Sequence, residues 1–222
     1  MAYAFLIRHG QNDWVNKNRL AGWISGVRLN KEGRDQVEQL SQRLSAAPIK
    51  AIYSSPLERC METAAVLALP HALEVMELPA VGEVRYGDWE GKKIKKLAKK
   101  NPQWYAVQHY PSRFKFPGGE SFRDVQQRAV TAIEQVSKRH KEDLVTVVSH
   151  ADVIKLVLAH YLGMHMDFFQ RLAVSPASVS ALFLNEAGMV RVLRINDDGP
   201  FRLPPQSKDT KSTDEEAHST EH

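Results

Sequence analysis

Short apolar runs alternate along the chain with segments in which apolar residues recur at helical spacing. Three of these runs are nearly continuous, which is typical of strands covered on both faces of a sheet. The predicted strands are 3–8, 50–55 and 144–148. Apolar residues three or four positions apart predict a helix at 33–46, and a more uniformly apolar segment predicts another at 153–162.

Ser55 marks the start of a further predicted helix. A proline follows it and Glu58 lies three residues on, which are the residue types favoured at a helix cap, at the first helical position and at the third. A helix is therefore predicted from residue 56 to about residue 69. Arg59 would lie in its first turns.

Ser121 gives a second start signal. Asp124 lies three residues on, and apolar residues continue at helical spacing to about residue 139. Two strand-like segments, 178–184 and 189–195, flank the sequence NEAG and predict a terminal hairpin. This alternation of strands and helices indicates an α/β fold with a mostly parallel sheet.

Two of the predicted strands end on basic residues. Arg8 and His9 follow the first strand, and Ser149 and His150 follow the strand at 144–148. The simplest interpretation is that each strand reaches the surface there, because charged groups are costly to bury without partners. The alternative is that both strand ends direct cations at an anion, since ligands of open sheets bind beyond the carboxyl ends of the strands.

Charge and composition favour an anionic substrate for one soluble domain. The chain has 222 residues, 43% of them hydrophobic, and a net charge of +4. Segment 207–222 holds five acidic residues and two lysines, so it carries −3 and the remainder +7. We expect one domain at 1–200 and a disordered tail at 201–222.

The sequence also restricts the compartment and the redox chemistry. No apolar run approaches the ~20 residues of a membrane helix, and no signal-like stretch opens the chain, so we expect a cytoplasmic protein without a membrane partner. Cys60 is the only cysteine, which excludes an intrachain disulfide and a multi-cysteine metal site. We interpret its thiol as a small core group rather than a nucleophile.

Four residues have the chemistry of a phosphate site. The guanidinium forks of Arg8 and Arg59 can each bond two phosphate oxygens, and a neutral imidazole of His9 or His150 can act as a nucleophile. The sequence has no recognised nucleic-acid motif, so a phosphate ester is favoured over nucleic acid.

Six segments, in order along the chain, carry a resemblance to a known family. They are LIRHGQNDW (6–14), LNKEG (29–33), YSSPLERCMETA (53–64), VGEVRYGDWEG (81–91), PGGESFRDVQQR (117–128) and VTVVSHADVIK (145–155). The chain resembles the histidine phosphatase superfamily, which contains the cofactor-dependent phosphoglycerate mutases and their phosphatase relatives. This resemblance implies a three-layer αβα sandwich with a mostly parallel central sheet.

The resemblance also implies roles for individual residues. His9 would attack phosphorus and become phosphohistidine, and Arg8, Arg59 and His150 would hold the phosphoryl oxygens. Glu83 would protonate the leaving group and later activate water, which requires a raised pKa, for instance from apolar neighbours such as Trp89.

Two further phosphate contacts follow less directly from the resemblance. The family's asparagine after the first-motif tryptophan is replaced here by Val15, with Asn16 next, so Asn16 is a candidate phosphate contact in a shifted loop. Ala151 replaces the usual glycine after the second histidine, and its backbone N–H can still donate to an oxygen.

The short connection after Glu83 favours hydrolysis. Mutases of the family carry a longer insertion that closes over the substrate and excludes water. We therefore predict a metal-independent phosphomonoester hydrolase that needs no cofactor and acts on a small phosphorylated metabolite. The alternatives are a cofactor-dependent phosphoglycerate mutase and a non-catalytic phosphate-binding module, and the terminal hairpin is a candidate homodimer contact.

Two interpretations stay open for segment 92–116. KKIKKLAKK, at 92–100, is either an amphipathic helix with a solvated lysine face or a cationic rim that attracts phosphorylated substrates. The aromatic residues after it either line a substrate lid or pack in the core. They are Trp104, Tyr105, Tyr110, Phe114 and Phe116.

Overall fold

The computed structural model describes residues 2–185 and 188–199. One sheet contains the strands Ala2–Arg8 (β1), Ile49–Ser54 (β2), Val75–Glu77 (β3), Leu144–Ser149 (β4), Val179–Leu184 (β5) and Val190–Asp197 (β6). Their order is β3-β2-β4-β1-β5-β6. The first four in this order are parallel, whereas β5 is antiparallel to both of its neighbours. The predicted mostly parallel sheet and terminal hairpin are confirmed.

Helices cover both faces of this sheet. The α-helices of the described residues are Asp13–Asn16 (α1), Lys31–Leu44 (α2), Glu58–Ala68 (α3), Ile94–Lys100 (α4), Trp104–His109 (α5), Phe122–Arg139 (α6) and Ala151–Tyr161 (α7). Ile7, Ile52 and Val148 belong to the apolar cluster of α2 and α3, whereas Leu6 and Val147 belong to that of α6 and α7. The chain is therefore a three-layer αβα sandwich, as predicted.

The start of α3 differs from its predicted position. The helix begins at Glu58, two residues later than predicted, and its N-cap Leu57 makes no side-chain cap bond. The hydroxyl of Ser55, the predicted cap, lies 2.8 Å from Nε2 of His150 instead. The prediction that Ser55 caps this helix is therefore wrong.

The starts of α2, α6 and α7 lie at or within two residues of their predicted positions. In α2, the side chain of Asn30 accepts from the Gly33 amide at 2.8 Å, so the helix begins at Lys31 rather than at residue 33. In α6, Ser121 and Asp124 form the predicted capping box. Helix α7 begins directly after His150, two residues before its predicted start.

The aromatic residues after α4 divide between core and surface. Phe114 and Phe116 are buried and pack against Trp89, with ring centroids 5.5 and 5.3 Å from it. Tyr105 and Tyr110 are 59% and 48% exposed. Core packing therefore accounts for the two phenylalanines.

The other predictions about segments concern the lysine-rich stretch, membrane helices and the C-terminal tail. The lysines of 92–100 are exposed around buried Leu97, as expected of an amphipathic helix. Within residues 2–185 and 188–199, the structure contains no helix long and apolar enough to cross a membrane. The tail predicted at 201–222 lies outside the described residues, so it stays a prediction together with the domain boundary at 200.

Candidate active site

The carboxyl ends of β1 and β4 bring the two histidines together. These strands are parallel neighbours with Arg8 opposite Ser149, so the residues that follow leave the sheet side by side. The imidazole rings of His9 and His150 lie 5.2 Å apart between centroids. Both rings are buried, with residue exposures of 3% and 0%.

His9 is held in one tautomer and one protonation state. Its Nδ1 lies 2.7 Å from the carbonyl oxygen of Gly10. A carbonyl can only accept a hydrogen bond, so Nδ1 carries the proton and Nε2 keeps a free lone pair. Burial, together with the charges of Arg59 and Arg8, lowers the pKa of His9 well below its usual 6.5. The ring is therefore neutral near pH 7 and has the form of a nucleophile.

Arg59 and Arg8 have buried donors that are not used within the protein. Arg59 is 1% exposed, and its Nη2 donates to the carbonyl of Gly22 at 2.9 Å. Arg8 donates from Nη1 to the carbonyl of Val174 at 2.7 Å. Nη1 of Arg59 and Nε of Arg8 have no hydrogen-bond partner among the described residues. Buried donors of this kind are costly unless a ligand accepts from them, which indicates an anion site.

The Ser55 hydroxyl is a hydrogen-bond partner of His150, the second histidine of the site. The Ser55 hydroxyl accepts from the Leu57 amide at 3.4 Å and lies 2.8 Å from Nε2 of His150. A hydroxyl can donate to Nε2 or accept from it, so this contact is compatible with either neutral tautomer of His150. Burial and the charge of Arg59 lower the pKa of His150 well below 6.5, so the ring is a neutral donor.

The thiol of Cys60 is a structural neighbour in this pocket. Its Sγ lies 3.4 Å from Nε2 of His150. Burial raises the pKa of this thiol to about 12, so it stays protonated near neutrality. This agrees with the interpretation of Cys60 as a core residue.

Glu83 has the protonation behaviour of an acid that works near neutrality. Burial first, and then the charge of Asp152, raise the pKa of Glu83 to about 7. The raised pKa and its origin in burial agree with the expectation, and the contribution of Asp152 was not expected. The Glu83 carbonyl accepts from Nε1 of Trp23 at 2.6 Å and from Nη2 of Arg128 at 3.0 Å, which fixes its backbone.

A cavity of about 210 Å³ joins His9, both arginines and Glu83, whereas His150 is fully buried beside His9 and is not among the described residues that line it. Its polar lining includes Arg8, His9, Arg59, Glu83, Tyr86 and Asp152. Glu83 reaches the second histidine as well, because its Oε2 lies 3.7 Å from Nδ1 of His150. The cavity therefore combines two guanidinium groups, a neutral imidazole and a carboxyl group that can carry a proton.

Asn12, and not the predicted Asn16, lines the cavity. Asn16 accepts from the Gln11 side chain at 3.2 Å and is not among the residues that line the cavity in the described part of the chain. Its position does not support a phosphate contact. Asn12 does line the cavity, and its Oδ1 accepts from the Trp14 amide at 2.9 Å as the cap of α1. The Asn-Asp pair at 12–13 is a helix-start signal that sequence reasoning missed.

Ala151 contributes through its backbone position. It lines the cavity and is the first residue of the eleven-residue helix α7. The first amides of a helix lack intrahelical partners and carry a partial positive charge, so they favour an anion nearby. Within the described residues, no cluster of three or more His, Cys, Asp or Glu side chains suits a metal ion.

The fold and this site indicate an α/β enzyme that binds phosphate, and comparisons with known proteins agree with this class. Residues 4–198 match the histidine phosphatase superfamily (branch 1). The chain belongs to this superfamily. Its structure resembles Bacillus stearothermophilus YhfR with a TM-score of 0.84 and 28% identity, covering 89% of this chain and 98% of the other.

Curated relatives include phosphatases. Phosphoserine phosphatase 1 of Hydrogenobacter thermophilus is 31% identical over 88% of this chain and 92% of its own length. The metal-independent phosphoserine phosphatase of Arabidopsis thaliana is 35% identical over 68% of this chain and 65% of its own. The chain is thus an enzyme of the phosphoglycerate mutase-like family, and the expected phosphatase activity agrees with these relatives.

Proposed function

We propose that this enzyme hydrolyses small phosphomonoesters, with His9 as the nucleophile and Glu83 as the acid and base. The observation that carries the proposal is the bond from Nδ1 of His9 to the Gly10 carbonyl, which leaves Nε2 unprotonated in a cavity lined by two arginines. A nucleophile of this kind needs no further deprotonation before it attacks phosphorus.

In the first step, the Nε2 lone pair of His9 forms a bond to phosphorus while the phosphorus–oxygen bond of the ester breaks. The electron pair of that bond stays on the leaving oxygen. Glu83 is half protonated near pH 7 and supplies the proton to this oxygen, because its pKa is about 7. The products are an alcohol and phosphohistidine.

The transferring phosphoryl group is stabilised mainly by charge and position. The free donors of Arg8 and Arg59, the neutral His150 ring and the first amides of α7 can bond its three equatorial oxygens. These groups are held by the fold before substrate arrives, so little reorganisation is required in the transition state.

In the second step, water attacks the phosphorus of phosphohistidine. The Glu83 carboxylate formed in the first step takes one proton from this water, and the phosphorus–nitrogen bond breaks with its electrons returning to Nε2 of His9. Inorganic phosphate leaves, and the starting protonation states are restored.

A phosphoester panel with inorganic phosphate as the readout tests this function, in buffer containing a chelator. We expect release of phosphate and an acid-labile phosphoenzyme on the wild-type chain, with both lost in His9→Ala. His160→Ala, at an exposed position of α7, is the matched histidine control and is expected to keep both. A wild-type chain that forms no phosphoenzyme with any ester would overturn the proposal in favour of a binding module.

Phosphoglycerate mutase activity is the competing enzymatic outcome. Supplying either monophosphoglycerate isomer with catalytic bisphosphoglycerate distinguishes the two, because a mutase interconverts the isomers without releasing phosphate. Release of phosphate faster than isomer exchange is the expected result.

The homodimer and the cytoplasmic location are also part of the proposal. Leu193 and Ile195, on the edge strand β6, are 50% and 39% exposed, which supports a contact between two copies along the hairpin. Light scattering after gel filtration tests the dimer, and a monomer at micromolar concentration contradicts it.

A further inference from the structure

The side chain of Asp152 places a carboxylate in the cavity. A cavity that binds anions would be expected to exclude such a group. Asp152 is the second residue of α7 and lines the same cavity as Glu83 and Tyr86. Its side chain is 20% exposed, so the charge is only partly screened by solvent. The reaction steps above make no use of this group.

The carboxylate is held in place from two sides. Its Oδ2 accepts from the Tyr86 hydroxyl at 3.2 Å. Its Oδ1 lies 3.4 Å from Nζ of Lys155, which also donates to the Gln170 side chain at 3.0 Å. A carboxylate has about four acceptor positions, so two partners leave capacity for a ligand.

A role in the helix alone does not account for this arrangement. An acidic residue in the first turn of a helix stabilises it through the dipole, and a surface position would be enough for that. Here the side chain lines the cavity and takes the hydroxyl of Tyr86, three residues after Glu83. The pairing holds the Asp152 side chain in the cavity that Glu83 also lines.

The pKa of Glu83 reflects the electrostatic effect of Asp152. After burial, Asp152 is the largest contributor to the raised pKa of Glu83. Glu83 protonates the leaving oxygen in the proposed reaction, so the groups attached to that oxygen would lie in the same field. Lys155 weakens the field, and Arg8 and Arg59 counter it at the phosphate.

We propose that Asp152 is a specificity-determining residue that selects leaving groups by their charge. Its carboxylate accepts hydrogen bonds from an ammonium or hydroxyl group near the ester oxygen and disfavours a leaving group that carries a carboxylate. This inference rests on the proposed phosphatase function. It predicts a preference for amino-alcohol phosphates over phosphorylated hydroxy acids.

Three substrates with leaving groups of different charge test the proposal. Phosphoethanolamine releases a cation, phosphoserine a zwitterion and 3-phosphoglycerate an anion. We expect Asp152→Asn to lower the ratio of kcat/KM for phosphoethanolamine to that for 3-phosphoglycerate by about tenfold, which corresponds to about 1.4 kcal/mol. The effect on phosphoserine should lie between the two. Measurements at pH 6 keep Glu83 largely protonated in the wild-type enzyme, because its pKa is about 7.

The controls separate this effect from other causes. Asp35→Asn removes one negative charge from the exposed face of α2 and should leave the ratio unchanged. Asp152→Ser gives a second neutral variant if Asp152→Asn does not fold. A ratio that stays within twofold, or an equal loss on all three substrates, contradicts a role in selection. Absence of phosphohistidine on the wild-type chain instead contradicts the proposed function itself.

Discussion

The two ends of the cavity are built in different ways. The end proposed to bind phosphate uses residues at the ends of central strands and in α3, all fixed by backbone or buried side-chain partners. The other end takes Trp14 from the four-residue helix α1 and Ile94 from the seven-residue helix α4. Short helices and loops change more readily than a central sheet without loss of the core.

This difference separates recognition of the phosphoryl group from recognition of the rest of the substrate. A phosphoryl group presents the same oxygens in every ester, so one rigid set of donors serves all of them. The leaving group varies, and it meets the less regular wall. Substitutions at the two ends should therefore differ in whether their effects depend on the substrate.

Among substitutions around the nucleophile, the largest effect is expected from Glu83→Gln, which removes the acid. Turnover of an alkyl phosphate should fall by about 10² to 10⁴ fold, the usual range for general acid–base help. p-Nitrophenyl phosphate needs little protonation of its leaving group, so its first step should persist and give a burst with accumulated phosphohistidine. Rapid-mix kinetics measures the burst, with Glu32→Gln on α2 as the control. An equal loss in the rate of the first step on both substrates, with no burst from p-nitrophenyl phosphate, would remove Glu83 from the acid role.

The pH profile tests the same residue without substitution. A pKa of about 7 means that Glu83 loses its proton as pH rises through neutrality, so kcat/KM for an alkyl phosphate should fall about tenfold per pH unit above that value. His9 has a lowered pKa and stays neutral throughout this range, so it adds no limb there. A flat profile from pH 7 to pH 9, spanning about two units, contradicts the assignment.

Arg59→Lys tests the phosphate end. The change keeps a positive charge but loses the planar fork, so we expect kcat/KM to fall by about 10² fold, within the range for loss of a preorganised donor. The loss should be the same for every ester because each presents the same phosphoryl oxygens. Arg28→Lys, in an exposed ion pair with Glu62, is the matched control. A loss that varies strongly among substrates would break the distinction between the two ends.

Ser55→Ala tests how His150 is positioned. Removing the hydroxyl deletes its bond to Nε2, so we expect kcat to fall by about fivefold, which corresponds to a hydrogen bond worth about 1 kcal/mol. Ser54→Ala is the neighbouring control, because the Ser54 hydroxyl donates to a main-chain carbonyl rather than to the histidine. Thermal melting of both variants distinguishes a loss of stability from a loss of positioning.

The smallest effect is expected from the exposed lysines of 92–100. Charge reversal by Lys95→Glu with Lys96→Glu should lower kcat/KM about two- to fivefold at low salt, since steering acts through the long-range field. The difference should disappear near about 0.5 M salt, where screening is strong. The exposed pair Lys50→Glu with Lys138→Glu is the control for total charge. An unchanged kcat/KM at low salt would contradict a steering role and indicate that these lysines form only a solvated helix face.

Sequence reasoning succeeded where one local signal determines one feature. Apolar runs located β1 and β4, and the Ser121–Asp124 pair located the start of α6. The two histidines could be placed together because parallel strands end at the same edge of a sheet. Their residue types then suggested phosphate chemistry, and the family resemblance assigned individual roles.

The parts that sequence reasoning missed depend on contacts between distant segments. The local sequence around Ser55 is that of a helix cap. Its side-chain partner, His150, lies 95 residues away in the sequence, so no local pattern indicates this contact. Asp152 and Tyr86 are 66 residues apart, and neither carries a local signal for the other. The raised pKa of Glu83 was expected, but its second cause needed the position of Asp152.

The pairing of β1 with β4 has a consequence during synthesis of the chain. Arg8 faces Ser149 across this pair, so β1 cannot pair with β4 until more than half of the polypeptide has been synthesised. A nascent chain that ends before His150 lacks this imidazole and the amides of α7 that follow it. Capacity to hold a phosphoryl group should therefore arise late in synthesis, once β4 and the start of α7 can join β1.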